Sequence, residues 1–372
     1  MFVCLPLLNL LIVSMNSIDR IFSLMCLRSF FGVTLHSVLR RTHLYGFFAY
    51  VLEKIDMRHQ KYDDLPRFNI AVCANLSAGK STLVNALLGK DLLPARNEVA
   101  TAKIISVYDR DGMNKVFGCC VSKNRVAAVS CCADVDSRQV ATWNSDPNVR
   151  HIFLQSDFDG IGNGVRVVVV HDTPGTNASR FPAHREATLA FLRGKKQDAL
   201  LYVVNFENMM SDDQEVLLRD IISLQSAKNK IPVVFAINKL DSVDPQKEDA
   251  NGNLEEFDKH VREVGYSNYV IMPVAARGGR LLKMALLGRS SDFTEKESDD
   301  FERVFLGFYK RMDVRAFWPS SMSHQKVCKT YGCRAAKVLV AGVEYPVEQL
   351  AAALANTGIP ALEELLENLN NQ

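Results

Sequence analysis

From Arg67 onward, short and nearly unbroken apolar runs alternate with stretches of helical periodicity. The runs are Phe68 to Cys73, Val165 to Val170, Ala199 to Val204, Val233 to Ile237 and Tyr269 to Val274, most of them rich in β-branched residues. A run apolar at every position, rather than at alternate ones, suits a strand covered on both faces, as in a parallel sheet with helices on either side. The helices between have legible ends. Ser211, with Gln214 three residues on, reads as a capping box opening a helix that carries Val216, Leu217, Ile221 and Leu224. Gly358 closes a helix bearing Val347, Leu350, Ala351 and Leu354, and Pro360 suits the first turn of a last helix with Leu362, Leu365, Leu366 and Leu369. The pattern predicts an α/β fold with a doubly wound, mostly parallel sheet flanked by helices.

Residues 1–66 follow a different pattern and are expected to form an N-terminal apolar, helical segment ahead of a main domain spanning 67–372. The apolar stretch Met1 to Met15 is broken by Pro6, Asn9 and Ser14 and falls short of the roughly 20 residues a spanning helix needs. It also lacks the basic start of a secretory signal. Residues 21–55 mix Phe, Leu and Val with Arg28, Arg40, Arg41 and Lys54. Three readings stay open: a membrane-surface helix, a helix packed on the main domain, or a stretch upstream of a true start at Met57.

Composition narrows the class without naming a ligand. With 372 residues, 48% of them hydrophobic and a net charge of +2, the chain is globular, and its charge balance gives no reason to expect a nucleic-acid partner. The nine cysteines include the adjacent pairs Cys119-Cys120 and Cys131-Cys132 and show no zinc-ribbon spacing, which points to thiols in a reducing, cytoplasmic setting.

Chemistry enters where the strands end. Phe68 to Cys73 runs into Ala74-Asn75-Leu76-Ser77-Ala78-Gly79-Lys80-Ser81-Thr82, followed by helical Leu83, Val84, Leu87 and Leu88 and the stop Gly89. A turn of small residues at a helix N-terminus offers backbone N–H groups to phosphates, Lys80 adds a positive charge, and the Ser81 hydroxyl can ligate Mg²⁺. Ala74 stands where the pattern has its first glycine, a cheap exchange if φ there is negative and a strained one if positive. Val165 to Val170 ends in His171-Asp172-Thr173-Pro174-Gly175, where Asp172 can support the metal and the Gly175 N–H can meet a terminal phosphate. His171 itself is read as a buried histidine with satisfied hydrogen bonds. After Val233 to Ile237 comes Asn238-Lys239-Leu240-Asp241, whose carboxylate can accept from the two donors on the guanine edge.

These motifs, in this order, resemble the TRAFAC class of P-loop GTPases and, within it, the dynamin superfamily, especially its bacterial members. The resemblance runs roughly from Arg67 to Leu369. It implies GTP and GDP as ligands, Mg²⁺ as cofactor and hydrolysis of GTP by water. The phosphate-binding residues would be Ala78, Gly79, Lys80, Ser81 and Thr82, and the base-binding residues Asn238, Lys239, Asp241 and Ala276. Ser77 inherits from the family a role in holding a monovalent cation, and Thr101, in Leu93 to Ala102, looks like the first-switch threonine that ligates Mg²⁺ and orients water. The long interval from Thr101 to Asp172 is expected to hold an insertion containing both cysteine pairs. The resemblance further implies a homodimer through the GTPase domain and membrane contact at the periphery of the cytoplasm. With the chain stopping at Gln372, no stretch is left for a dynamin stalk, so a stalkless module or a fragment of a longer gene is expected. Two alternatives stand beside hydrolysis: a non-hydrolysing guanine-nucleotide scaffold, and an Era-type ribosome-associated GTPase.

Overall fold

The computed structural model describes residues 65–94, 103–122, 128–176, 182–224, 231–242, 249–317 and 327–372. Residues 1–64 of the expected N-terminal segment, and Thr101, therefore lie outside the described residues. One nine-stranded sheet organises the rest. Its strands are β1 (Arg67–Ala74), β2 (Ile104–Asp109), β3 (Phe117–Ser122), β4 (Ala128–Cys132), β5 (Val149–Ser156), β6 (Val167–Asp172), β7 (Ala199–Asn205), β8 (Val233–Asn238) and β9 (Tyr269–Pro273).

The spatial order is β4-β3-β5-β2-β6-β1-β7-β8-β9. The five apolar runs are β6, β1, β7, β8 and β9, mutually parallel and buried along nearly their whole length, which is why they lack alternation. One boundary moves: the run starting at Val165 becomes a strand only at Val167, and Val165 is 63% exposed. The other half of the sheet is mixed. β2 is antiparallel to β6 and parallel to β5, while β3 is antiparallel to both β5 and β4. Both cysteine pairs sit on β3 and β4, so the expected insertion is an extension of the sheet itself.

Helices α1 (Lys80–Leu88), α2 (Ser137–Ser145), α3 (Pro182–Gly194), α4 (Asp212–Leu224), α5 (Ala250–Val264), α6 (Ala276–Leu286), α7 (Glu295–Lys310), α8 (Val347–Ala355) and α9 (Ile359–Asn370) flank the sheet. α1 packs on α6, with α7 and α8 against α6, and α3, α4 and α5 pack in series as a second layer. Close approach around α6 depends on two glycines. A Cβ on Gly278 would fall 2.2 Å from the Phe308 ring, and one on Gly279 2.3 Å from Ile359. A hairpin of β10 (Lys337–Val340) and β11 (Val343–Pro346) lays Tyr345 edge-on against Phe301 and Phe305.

The start of α4 departs from the capping-box expectation. The Gln214 side chain, instead of turning back to the helix start, meets the Asn75 side-chain amide at 2.9 Å. The predicted stops hold: Gly89 (φ 61) ends α1, and Gly358 (φ 78) stands between α8 and α9, with a proline in the first turn of α9. Among the described residues, no helix is long and apolar enough to cross a membrane.

Candidate functional site

β1 delivers the chain to the carboxyl edge of the sheet at Ala74, and α1 starts at Lys80. Ala74 is the last strand residue and is not among the positive-φ positions, so the missing glycine costs little there. The left-handed turn is made by Ser77 (φ 63) and Gly79 (φ 89) instead. A non-glycine residue in that region carries roughly 1 kcal/mol of strain, so the loop holds stored energy at Ser77. Gly79 has no such choice, because a Cβ would lie 2.3 Å from Asn238 Nδ2.

The Asp172 loop is laced to this turn. Leu76 N donates to Thr176 O at 2.8 Å, Thr176 N to Ala74 O at 3.0 Å, and Thr173 Oγ1 to Val72 O at 2.7 Å. These bonds set Gly175 against Leu76, where an added Cβ would sit 3.4 Å from the Leu76 Cα. Asp172 then meets both residues expected to work with it. One carboxylate oxygen pairs with Lys80 Nζ, and the other accepts from Ser81 Oγ at 3.0 Å. Side chains of Lys80 and Asp172 are 11% and 6% exposed, so the pair is shielded from solvent screening.

On the other side, β8 ends at Asn238, whose amide is committed to protein. Its Nδ2 donates to Ala78 O at 2.9 Å and its Oδ1 accepts from Ala276 N at 3.0 Å. The Ala276 N–H, expected to face a base, is thus engaged by Asn238, and Asn238 acts as a clamp joining the phosphate loop to the start of α6. Lys239 (φ 71) turns the chain sharply so that Asp241 opens into a cavity of about 730 Å³. Gly79, Thr82, Asn238, Lys239 and Asp241 line that cavity together with Arg277 and Phe308. Asp241 touches solvent at the mouth, yet the protein mass around it raises its carboxyl above the ordinary range, against the charges of Arg277 and Lys239.

Gly79 and Thr82, on either side of Lys80 and Ser81, border the cavity that Asp241 lines, and Lys80 and Ser81 in turn contact Asp172. Sequence reasoning passed over the residues that tie the loops together, namely Asn75, Thr173 and Thr176. The only available signal was their position within motifs already noted. His171 is buried as expected, with Nδ1 2.7 Å from Ser106 Oγ and Nε2 3.1 Å from both Asn69 Oδ1 and Lys195 Nζ. Burial, and next Lys195, hold its pKa well below the usual value, so it stays neutral.

Known proteins share parts of this sequence and fold. The sequence model of the dynamin family matches residues 70–151. The chain is 26% identical over 181 residues to Dynamin-like protein A of Bacillus subtilis (strain 168), covering 47% of this chain but 13% of that protein. It is 25% identical over 323 residues to an uncharacterised protein in the xynA 3′ region of Caldicellulosiruptor sp. (strain Rt8B.4), covering 82% of this chain and 70% of that one. A solved bacterial dynamin pair, described as sensing and tethering membranes, aligns at TM-scores of 0.43 and 0.44 and 16% and 17% identity. Those alignments cover 74% and 82% of this chain, and 42% and 56% of the respective dynamin chains. Era of Aquifex aeolicus aligns at 0.30 with 19% identity, over 56% of this chain and 51% of that one. The family match, over residues 70–151, and the bacterial dynamin-like relative support a dynamin-superfamily GTPase domain.

Proposed function

We propose that this chain binds GTP with Mg²⁺ and hydrolyses it to GDP and phosphate by direct attack of water, within a catalytic domain spanning 67–372. The observation that carries the reading is the contact of Lys80 and Ser81 with Asp172 beside a cavity into which Asp241 opens. In the proposed complex, the backbone from Ser77 to Gly79 and the start of α1 cradle the phosphates, and Lys80 leaves Asp172 for the outer phosphate oxygens. The Ser81 hydroxyl and the Asp172 carboxylate, already 3.0 Å apart, form the hard-oxygen donor set that suits a magnesium ion. When bound, the ion would neutralise charge developing on the phosphates. Gly175 would donate its N–H to the terminal phosphate, and Thr101 would orient water. Asp241 would accept from guanine, with Lys239 beside it and Ala276 near the base.

The Ser77 hydroxyl, held on a left-handed turn at the loop crown, would assist a monovalent cation. A homodimer across the nucleotide and peripheral membrane contact from the cytoplasm extend this proposal by likeness to the dynamin relatives. The test is titration of GTP, GDP and ATP analogues, with Lys80→Ala and Asp241→Asn as controls. Selective GTP binding lost in both variants supports the proposal, and equal competition by ATP defeats it. Single-turnover hydrolysis separates the enzyme from a scaffold, since a scaffold would hold intact GTP. Gel filtration with GDP-aluminium fluoride is expected to show a dimer, and a monomer would remove that part.

A further inference from the structure

The cysteines on the sheet edge are placed differently from one another, although they occur in two adjacent pairs. In the antiparallel β3·β4 ladder, Cys119 stands directly opposite Cys131, whereas Cys120 faces Ser130 and Cys132 faces Gly118. Directly opposed residues in such a ladder have Cα atoms roughly 4.5–5.5 Å apart, inside the span a disulfide accepts. Cys120 and Cys132 share the opposite face only as diagonal neighbours, at about 7–8 Å, beyond that span. Access also differs: Cys119 is 1% exposed beneath the strand, while Cys131 is only partly buried.

We propose that Cys119 and Cys131 form a reversible redox pair, a cross-strand site that low-molecular-weight disulfides such as oxidised glutathione convert to a protein disulfide. The more accessible Cys131 thiolate attacks one sulfur of the small disulfide, forming a mixed disulfide and expelling the first thiol. Cys119 then gives up its proton, its sulfur attacks Cys131 Sγ, and the second thiol leaves. Two protein thiols are oxidised by two electrons, and one small disulfide is reduced to two thiols.

The site is joined to the rest of the sheet by register. Cys131 pairs with Cys119, Cys119 with Phe153, Phe153 with Ser106, and Ser106 with His171, which immediately precedes Asp172. The row is a transverse line of residues on one face, with the cysteines at its outer end. The proposal depends on this geometry alone and not on the nucleotide reading.

The test exposes the full purified chain to a glutathione buffer stepped from reduced to oxidised, followed by alkylation and peptide mapping. The expected result is one linkage, between Cys119 and Cys131, lost on adding dithiothreitol. It is absent in Cys131→Ser and unchanged in yield in Cys132→Ser. Amide exchange in β4 should slow by about tenfold or more on oxidation, because the edge strand can no longer open alone. A linkage through Cys120 or Cys132, or no linkage in the wild-type chain under fully oxidised buffer, overturns the proposal. Mapping of the wild-type chain settles the matter even if a variant folds poorly.

Discussion

Gly79 carries two requirements at once: a φ of 89 that L-residues avoid, and no room for a Cβ beside Asn238. Gly79→Ala is expected to push the Asn238 clamp aside and weaken GTP binding at least about tenfold, roughly 1.4 kcal/mol, by calorimetry. Asp241 gives a pH signature. Because the protein packed around it raises its carboxyl even though the side chain reaches solvent, it takes up a proton at higher pH than a free aspartate and, in the proposed complex, would then no longer accept from guanine. GTP affinity should therefore fall on acidification earlier than an ordinary carboxylate would dictate, and Asp241→Asn should remove that dependence along with the affinity. Asp109 offers a test remote from ligands. It is fully buried, its Oδ2 lacks a hydrogen-bond partner, and burial, followed by Asp111 and Asp157, raises its pKa well above the usual value. The folded state thus holds that proton more firmly than the unfolded chain, so stability falls as pH rises from about 4 toward the raised pKa. Asp109→Asn should flatten this slope and raise the melting temperature most at the alkaline end, read by calorimetry across pH.

At the scale of elements, the five strands around the candidate site could be read directly because both their faces are covered. Phe235 on β8, for example, meets the rings of Tyr202, Phe257, Tyr266 and Tyr269. The strands of the other half were harder to see. β5 buries alternate residues only in part, and β3 and β4 are built largely from Gly, Ser, Ala and Cys, whose small side chains leave little hydrophobic pattern. The site motifs were legible because phosphate and base chemistry demand fixed residues beside strand ends. The commitment of Asn238 and Ala276 to one another was not, since it depends on two loops distant in sequence. Helix spacing around α6 was equally hidden. Gly278→Ala should drive a methyl into Phe308 and destabilise the chain by about 1–3 kcal/mol, measured by urea unfolding, whereas Gly307→Ala, where a Cβ meets nothing within 4 Å, should not.

Across the whole molecule, one buried charge pair ties early and late segments together. Lys283 on α6 and Glu363 on α9 are both 0% exposed and 2.7 Å apart. Lys283 Nζ also donates to Leu87 O at 2.5 Å, at the end of the helix that follows the phosphate loop, and to Phe158 O at 3.1 Å. Tyr331 OH donates to Glu363 Oε2 at 2.9 Å. Removing one partner strands a charge in the core, so Glu363→Leu should cost about 3–5 kcal/mol, while the double change with Lys283→Met should recover much of that loss in thermal unfolding.

That pair also sets a schedule for the newborn chain. In a polypeptide without Glu363 the Lys283 ammonium keeps its carbonyl partners but has lost this counter-charge, so the end of the first helix is expected to be held less firmly. A nascent polypeptide halted before that codon should be open to protease at α1, and one released after it should resist.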